Sequence, residues 1–221
     1  VVTGGSGHLG SEMVGVLLRD GALVVAVARS EEGLLNLARR WGTTSGKLVT
    51  LVADVAADDT ADRAITAVRD GGHRISGWVN NASPGRSVRL LLSLVRADLE
   101  AATRSLADVM LLTQSVAQAM IDEGEQGSIV NIASIYGLIS SDPALYAAHA
   151  EYHSPPAYGA VKAGMLQFTR YASTHLAPHG IRVNAISPGP FPHPGIQDRT
   201  AFVELLEDRV PLRRFGQPIE V

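Results

Sequence analysis

The sequence predicts a single α/β domain built on a doubly wound parallel sheet, and three observations carry that expectation. Short apolar runs alternate with helical stretches along the chain. The helical stretches close at glycines, and a glycine-rich turn joins the first run to the first helical stretch. Alternation of this kind brings successive strands side by side in parallel through right-handed crossovers.

Residues 22–28, 47–53, 77–80, 128–133 and 181–186 read as strands, with Val1-Val2 as the tail of one before them. Several are apolar nearly throughout, the pattern of strands covered on both faces. Helices are expected at about 8–20, 31–41, 59–71, 97–122 and 157–177, with Gly21, Gly42, Gly71, Gly124 and Gly180 as C-caps. No repeat or low-complexity linker interrupts the series, so residues 1–221 are expected to form one domain. Both ends read as clipped, because only a strand tail stands at the start and no strand follows Pro211–Pro218.

Composition narrows the function. At 46% hydrophobic and 19% charged, the 221 residues suit a globular domain with a substantial core. A formal net charge of -3 with scattered basic residues gives no electrostatic case for nucleic acid. The longest apolar run, around Leu90–Val95, is far short of the roughly 20 residues that span a bilayer, so no membrane association is expected. Absence of cysteine excludes thiolate catalysis and cysteine-based metal sites. Together with a start that lacks a secretory pattern, it makes the cytoplasm the expected location. Only Lys47 and Lys162 among 19 basic residues are lysine, which draws attention to both.

Thr3-Gly4-Gly5-Ser6-Gly7-His8-Leu9-Gly10 follows the first strand and opens the first helix. Gly5, Gly7 and Gly10 satisfy G-x-G-x-x-G in the strand–turn–helix setting that Rossmann-like sheets use for a dinucleotide. One glycine permits the turn, one lets backbone approach a pyrophosphate, and one allows close helix packing. The helix N-terminus then offers N–H groups to the phosphates. Taken alone the match also fits an ordinary glycine turn; its position at the first strand–helix junction favours the dinucleotide.

The end of the next strand bears on NADP(H) against NAD(H). An acidic residue there would bind the ribose hydroxyl, whereas arginine accommodates a 2′-phosphate. Arg29-Ser30 precede Glu31-Glu32, which favours NADP(H). Two alternatives stay open: Arg29 as an exposed residue opening a helix, and Glu31 bending back to the ribose.

Tyr158 and Lys162 stand four residues apart in a helical stretch, so both side chains share one face. A phenol, with an ordinary pKa near 10, is a poor base at neutral pH. A nearby ammonium favours the phenolate and makes proton transfer to or from a substrate oxygen feasible. Arginine would not substitute, being bulkier, planar and differently hydrated. Ser134 closes the 128–133 strand at the carboxyl edge of the sheet, where open α/β folds bind ligands and a hydroxyl can donate to a carbonyl or alkoxide. By itself a serine there is also ordinary turn chemistry.

Together these residues resemble the short-chain dehydrogenase/reductase family, compact single-domain branch. The resemblance runs through the Thr3–Gly10 turn, Asp54-Val55, Asn80-Asn81-Ala82-Ser83, Ser134, Tyr158/Lys162 and Ser187-Pro188-Gly189. It implies a cofactor held by Gly4, Ser6, Gly7, Leu9, Gly10, Arg29 and Ser30. Asp54 and Val55 would border the adenine, Asn81 and Ala82 would support the ribose, and Pro188 and Gly189 would flank the nicotinamide. Tyr158 would be the general acid/base, Lys162 would bind the nicotinamide ribose as well as tune Tyr158, and Ser134 would orient the substrate oxygen. The resemblance also implies a homodimer or homotetramer paired through the 97–122 and 157–177 helices.

Three departures from the family pattern stand out. His8 occupies the middle glycine of T-G-x-x-x-G-x-G, giving a spacing closer to the extended branch that includes nucleotide-sugar epimerases. Ser105 falls where a helix asparagine usually completes a proton-relay tetrad. Ser134 and Tyr158 lie 24 positions apart, against the family's dozen or so, which leaves 140–156 as an insertion beside the site. That insertion carries Asp142, Tyr146, His149, Glu151, Tyr152 and His153, and with Ser134-Ile-Tyr136-Gly it resembles enzymes of bacterial sugar metabolism and surface-glycan or flagellin modification. It reads either as a polar substrate lid or as a surface insertion. His149 and His153 have i, i+4 spacing but no third ligand, so no metal is expected.

The expected function is therefore NAD(P)(H)-dependent interconversion of a carbonyl and a secondary alcohol on a small, polar, possibly sugar-like substrate. The alternatives are a nucleotide-sugar epimerase or dehydratase with recycled cofactor, and a catalytically silent NADP-binding regulator.

Overall fold

The computed structural model describes residues 1–83, 89–198 and 200–221. The strands are β1 Val2–Thr3, β2 Leu23–Ala28, β3 Lys47–Val52, β4 Gly77–Asn80, β5 Gly127–Ile132 and β6 Ile181–Ile186. They form one parallel sheet in the order β3-β2-β1-β4-β5-β6. Helices α1 His8–Arg19, α2 Glu31–Trp41, α3 Thr60–Asp70, α4 Arg96–Asp122 and α5 Pro156–Leu176 connect them. The chain winds outward from β1 to β3, then crosses to β4 and winds outward the other way. A crevice opens at that reversal, outside the carboxyl ends of the strands.

The continuous apolar character of β2 has a direct cause. Successive side chains alternate faces. Val25 and Val27 enter a core with Ile65, Trp78, Val116, Met120 and Ile129, beneath α3, α4 and α5. Val24 and Ala26 enter the opposite core with Val14, Leu18, Leu34 and Leu37, beneath α1 and α2. Each fully buried valine or leucine is worth about 1.5–3 kcal/mol relative to exposure. Both layers thus hold β2 in register.

A buried polar chain then fixes α4 and α5 to the sheet. Trp78 Nε1 donates to Asn80 Oδ1 at 2.7 Å, and Asn80 Nδ2 donates to Thr113 at 3.1 Å and Asn131 Oδ1 at 2.8 Å. Asn131 Nδ2 donates to Thr169 at 2.9 Å. Polar groups this deep are costly when unpaired, so the network rewards one arrangement of the helices that flank the crevice.

Every expected strand and helix from residue 8 to 186 occurs to within one residue at each end. The expected C-caps at Gly42 and Gly71 both occur, without a left-handed turn at either glycine. Gly42 and Gly71 are right-handed, at φ -67 and -72, and Gly72 takes the left-handed turn after α3 at φ +81. A Cβ at Gly71 would stand 2.3 Å from Leu23 Cδ1, so a larger residue there would turn the end of that leucine aside. Two short helices were not expected: α6 Pro194–Gln197 and α7 Thr200–Glu207. Among the described residues no helix is long and apolar enough to cross a membrane.

Candidate active site

A cavity of about 1180 Å³ runs along the crevice from the ends of β2 and β3 to α7. At its centre lies the glycine-rich turn. Gly4 has φ +64, and a Cβ there would meet Ala82 Cα at 2.9 Å. The turn is closed by Gly7 N–H donating to the Gly4 carbonyl at 2.9 Å and by Gly5 N–H donating to Val27 O at 3.1 Å. Helix α1 begins at His8 with no side-chain cap, which leaves leading N–H groups for an anion. Gly4, Ser6, Gly7 and Leu9 line the cavity, whereas Gly10 does not. Gly10 packs behind the turn, where a Cβ would stand 2.2 Å from the Gly4 carbonyl oxygen. That is the close packing its place in G-x-G-x-x-G predicts, away from the cavity wall where the resemblance also implied a contact.

The turn is held from β4. Asn81 Nδ2 donates to the Thr3 and Gly4 carbonyls at 3.0 and 3.1 Å, and the Asn81 and Ala82 N–H groups donate to Thr3 Oγ1. Asn81 therefore acts on the turn as well as lining the cavity with Ala82. Arg29, Ser30, Asp54 and Val55 line the outer end. Arg29 is exposed, and Ser30 caps α2 by accepting from Gly33 N–H at 3.0 Å. Asp54 Oδ1 accepts from Ala56 N–H at 3.1 Å.

The inner end brings Ser134, Tyr158, Lys162, Pro188 and Gly189 onto the same cavity. Ser134 Oγ accepts from Tyr136 N–H at 3.2 Å, which turns the hydroxyl at the start of a 3-10 turn. The Ile135 N–H donates to Pro188 O at 3.1 Å and fixes the Pro188-Gly189 segment beside it. Lys162 is buried, with Nζ donating to Ile132 O at 2.6 Å and lying 5.7 Å from the Tyr158 ring centroid. Burial lowers its pKa to about 8. Ser105 lines the wall, but its hydroxyl donates to Ala102 O at 2.7 Å in its own helix.

The 140–156 segment forms 3-10 turns at Pro143–Tyr146 and Ala150–Tyr152. Leu145, Tyr146 and Tyr152 pack with Phe202, Leu205 and Leu206 of α7 and Ile196 of α6 in a small core of their own. Tyr146 shares a 2.5 Å hydrogen bond with Tyr136, and Asp142 accepts from Arg209 at 2.8 Å. His149 and His153 are not on a helical face: His149 packs on Phe202 at 5.3 Å and His153 on Tyr146 at 4.9 Å. No group of three or more potential metal ligands occurs among the described residues.

Several cavity residues had no sequence signal. Phe191, Phe202, Leu206 and Arg209 come from the loop after β6 and from the unexpected α6–α7 region. Arg104 and Asp108 also line the wall; burial pushes the Asp108 carboxyl above its usual range, with Arg104 opposing and Asp54 adding to the rise.

With this geometry in view, the short chain dehydrogenase family description matches residues 1–201. The chain belongs to the short-chain dehydrogenase/reductase family. A 3-oxoacyl-(acyl-carrier-protein) reductase of Thermotoga maritima is 31% identical over 225 residues, covering 100% of this chain and 85% of the relative. A galactitol 2-dehydrogenase of Rhizobium johnstonii is 32% identical over 232 residues, covering 100% and 83%. A short-chain type dehydrogenase/reductase from Mycobacterium marinum superposes with a TM-score of 0.86 at 27% identity, covering 99% and 83%. The short-chain dehydrogenase/reductase described here is thus an NAD(P)-dependent oxidoreductase acting on CH–OH and C=O groups. Neither the recycled-cofactor nor the silent-regulator alternative is favoured.

Proposed function

We propose that this enzyme interconverts a secondary alcohol and a carbonyl on a small polyhydroxylated substrate, with Tyr158 as general acid/base and NADP(H) preferred over NAD(H). The convergence of Ser134, Tyr158 and buried Lys162 at the inner end of the nucleotide cavity is the observation that carries it. The glycine cradle and the uncapped start of α1 fit a dinucleotide diphosphate. When bound, the dinucleotide gives or takes the hydride.

This chain's own residues manage the proton and the substrate oxygen. Ser134 Oγ already accepts from Tyr136 N–H, so its own hydrogen is directed elsewhere, to the substrate oxygen. In oxidation the substrate hydroxyl proton passes to the Tyr158 oxygen; in reduction Tyr158 returns it to the forming alkoxide. The Lys162 ammonium has three protons, one of which goes to Ile132 O. The other two serve the Tyr158 oxygen and a ribose hydroxyl. Pro188 and Gly189 wall the nicotinamide, Asn81 and Ala82 support the ribose, and Asp54 and Val55 border the adenine. Ser105, bonded back to its own helix, is a weaker proton relay than an asparagine amide would be.

Exposed Arg29 at the outer end is a suitable partner for a 2′-phosphate. The substrate end is walled by Phe202 and Tyr152 and carries the hydroxyls of Ser140, Tyr136 and Tyr146. Apolar C–H faces of a sugar alcohol suit the aromatic rings, and its hydroxyls suit the phenols. The galactitol 2-dehydrogenase relative supports the same substrate class. On this reading the 140–156 segment sets specificity. Copies of the chain pair through α4 and α5, which leave Leu99, Met110, Leu111 and Tyr171 exposed. A screen of hexitols and ketoses with NADPH and NADH tests the proposal. NADPH-dependent turnover of at least one is expected, with the preference lost in Arg29→Ala and KM raised in Phe202→Ala. Turnover confined to apolar ketones, or an unchanged preference in Arg29→Ala, would contradict it.

A further inference from the structure

We infer that His8 and His193 supply the cationic contact for the cofactor's diphosphate, an inference that rests on the dinucleotide reading above. The turn from Thr3 to Gly10 contains no lysine or arginine, so the doubly charged diphosphate meets no permanent cation there. His8 instead occupies the first position of α1, where anions collect at the helix N-terminus. Its ring lies 5.3 Å from that of His193, which stands four residues beyond Gly189 on the far wall. Both side chains line the cavity together with Ser6, Gly7, Gly189 and Pro190.

A second, independent feature points to a ligand. The His8 side chain is partly buried, and its Nε2 is shielded from solvent with no hydrogen bond of normal length among the described residues, the Pro192 carbonyl being its polar neighbour. A buried ring nitrogen in that condition is costly. A phosphate oxygen would satisfy it as an acceptor, and a protonated ring would add charge to the hydrogen bond.

The surrounding groups explain why His8 is poised. Burial and His193 hold His8 below the usual histidine range, whereas Glu12 one turn along α1 and the Pro192 carbonyl favour its proton. Glu12 is itself paired with Arg40 of α2, which weakens its pull. The net result is a ring biased towards neutrality until an anion arrives. Binding the diphosphate supplies the missing negative charge, so cofactor binding takes up a proton. Because His193 sits on the segment that begins at Pro188-Gly189, the same contact draws that segment towards the turn.

Isothermal titration of the intact enzyme with NADH, in two buffers of different ionisation heat, reads the proton directly. NADH is the probe because it lacks the 2′-phosphate, whose own titration would overlap. Wild type is expected to take up a measurable fraction of a proton at pH 7, and to bind more tightly at pH 6 than at pH 8. His8→Gly restores a residue the turn accepts, and His193→Asn keeps a polar side chain. His8→Gly is expected to lose the proton uptake, and each variant to weaken binding by about tenfold at pH 6, the loss of one charged contact of about 1.4 kcal/mol. NADH binding with unchanged affinity and uptake in both variants would overturn the inference while leaving the dinucleotide reading intact. Failure of the wild type to bind either dinucleotide would overturn the dinucleotide reading itself, and this inference with it.

Discussion

Lys162 is a cation in a place that opposes charge. It is 6% exposed, and burial lowers its pKa from 10.5 to about 8. Below pH 8 it is charged in both folded and unfolded chains, so its burial opposes folding in full. Between about 8 and 10.5 the folded chain releases the proton that the unfolded chain still holds, and stability rises with pH across that window. At about 1.36 kcal/mol per pKa unit the penalty is on the order of 3 kcal/mol at pH 7. Loss of the bond to Ile132 O offsets about 1 kcal/mol of any relief. Lys162→Met is therefore expected to raise stability at pH 7 by about 2 kcal/mol, with the gain shrinking towards pH 10.5, and to remove turnover. Denaturant melts at pH 7 and pH 10 check this, and a destabilised variant at pH 7 would contradict it. On the proposed role of Lys162, stability is given up here for function.

At the scale of elements, α4 carries two unlike faces. Val109, Leu112, Val116 and Met120 are buried against the sheet, while Leu99, Met110 and Leu111 are exposed at 46%, 42% and 56%. Leu111→Glu adds a charge to the exposed face without touching the core. If copies pair through this face as proposed, it should leave the fold intact and reduce the mass in solution, read by light scattering, from the expected multiple of 23.3 kDa to that value, and a wild type already at 23.3 kDa would contradict the pairing. An unchanged multiple would place the interface elsewhere. The long elements were legible because a strand buried on both faces and a helix closed by glycine both leave marks in local sequence. The Gly71-Gly72 pair marks the end of α3 in the sequence, but which of the two takes the left-handed turn is set by the backbone, at Gly72. Helices α6 and α7 left no mark. They are four and eight residues long, too short for an apolar pattern to stand out from a loop, and they pack on Leu145, Tyr146 and Tyr152.

At the scale of the molecule, the reversal of strand order between β1 and β4 gathers residues as distant as Gly4, Asn81, Ser134, Tyr158 and Gly189 onto one cavity. That half of the site was readable because each residue follows a strand or opens a helix whose place in the sheet is set by topology. The far end of the cavity was not, since Phe202 and Arg209 meet the 140–156 segment only through tertiary packing. The central claim is that this sheet presents Tyr158 to a substrate oxygen while other groups hold the dinucleotide. It is tested most directly by measuring NADPH affinity and turnover together in Tyr158→Phe, using whichever polyol or ketose the wild type accepts. Affinity within about threefold of wild type is expected, with turnover lower by at least about a hundredfold, the usual worth of a positioned acid/base. Turnover at the wild-type rate in a variant that still binds NADPH would contradict it.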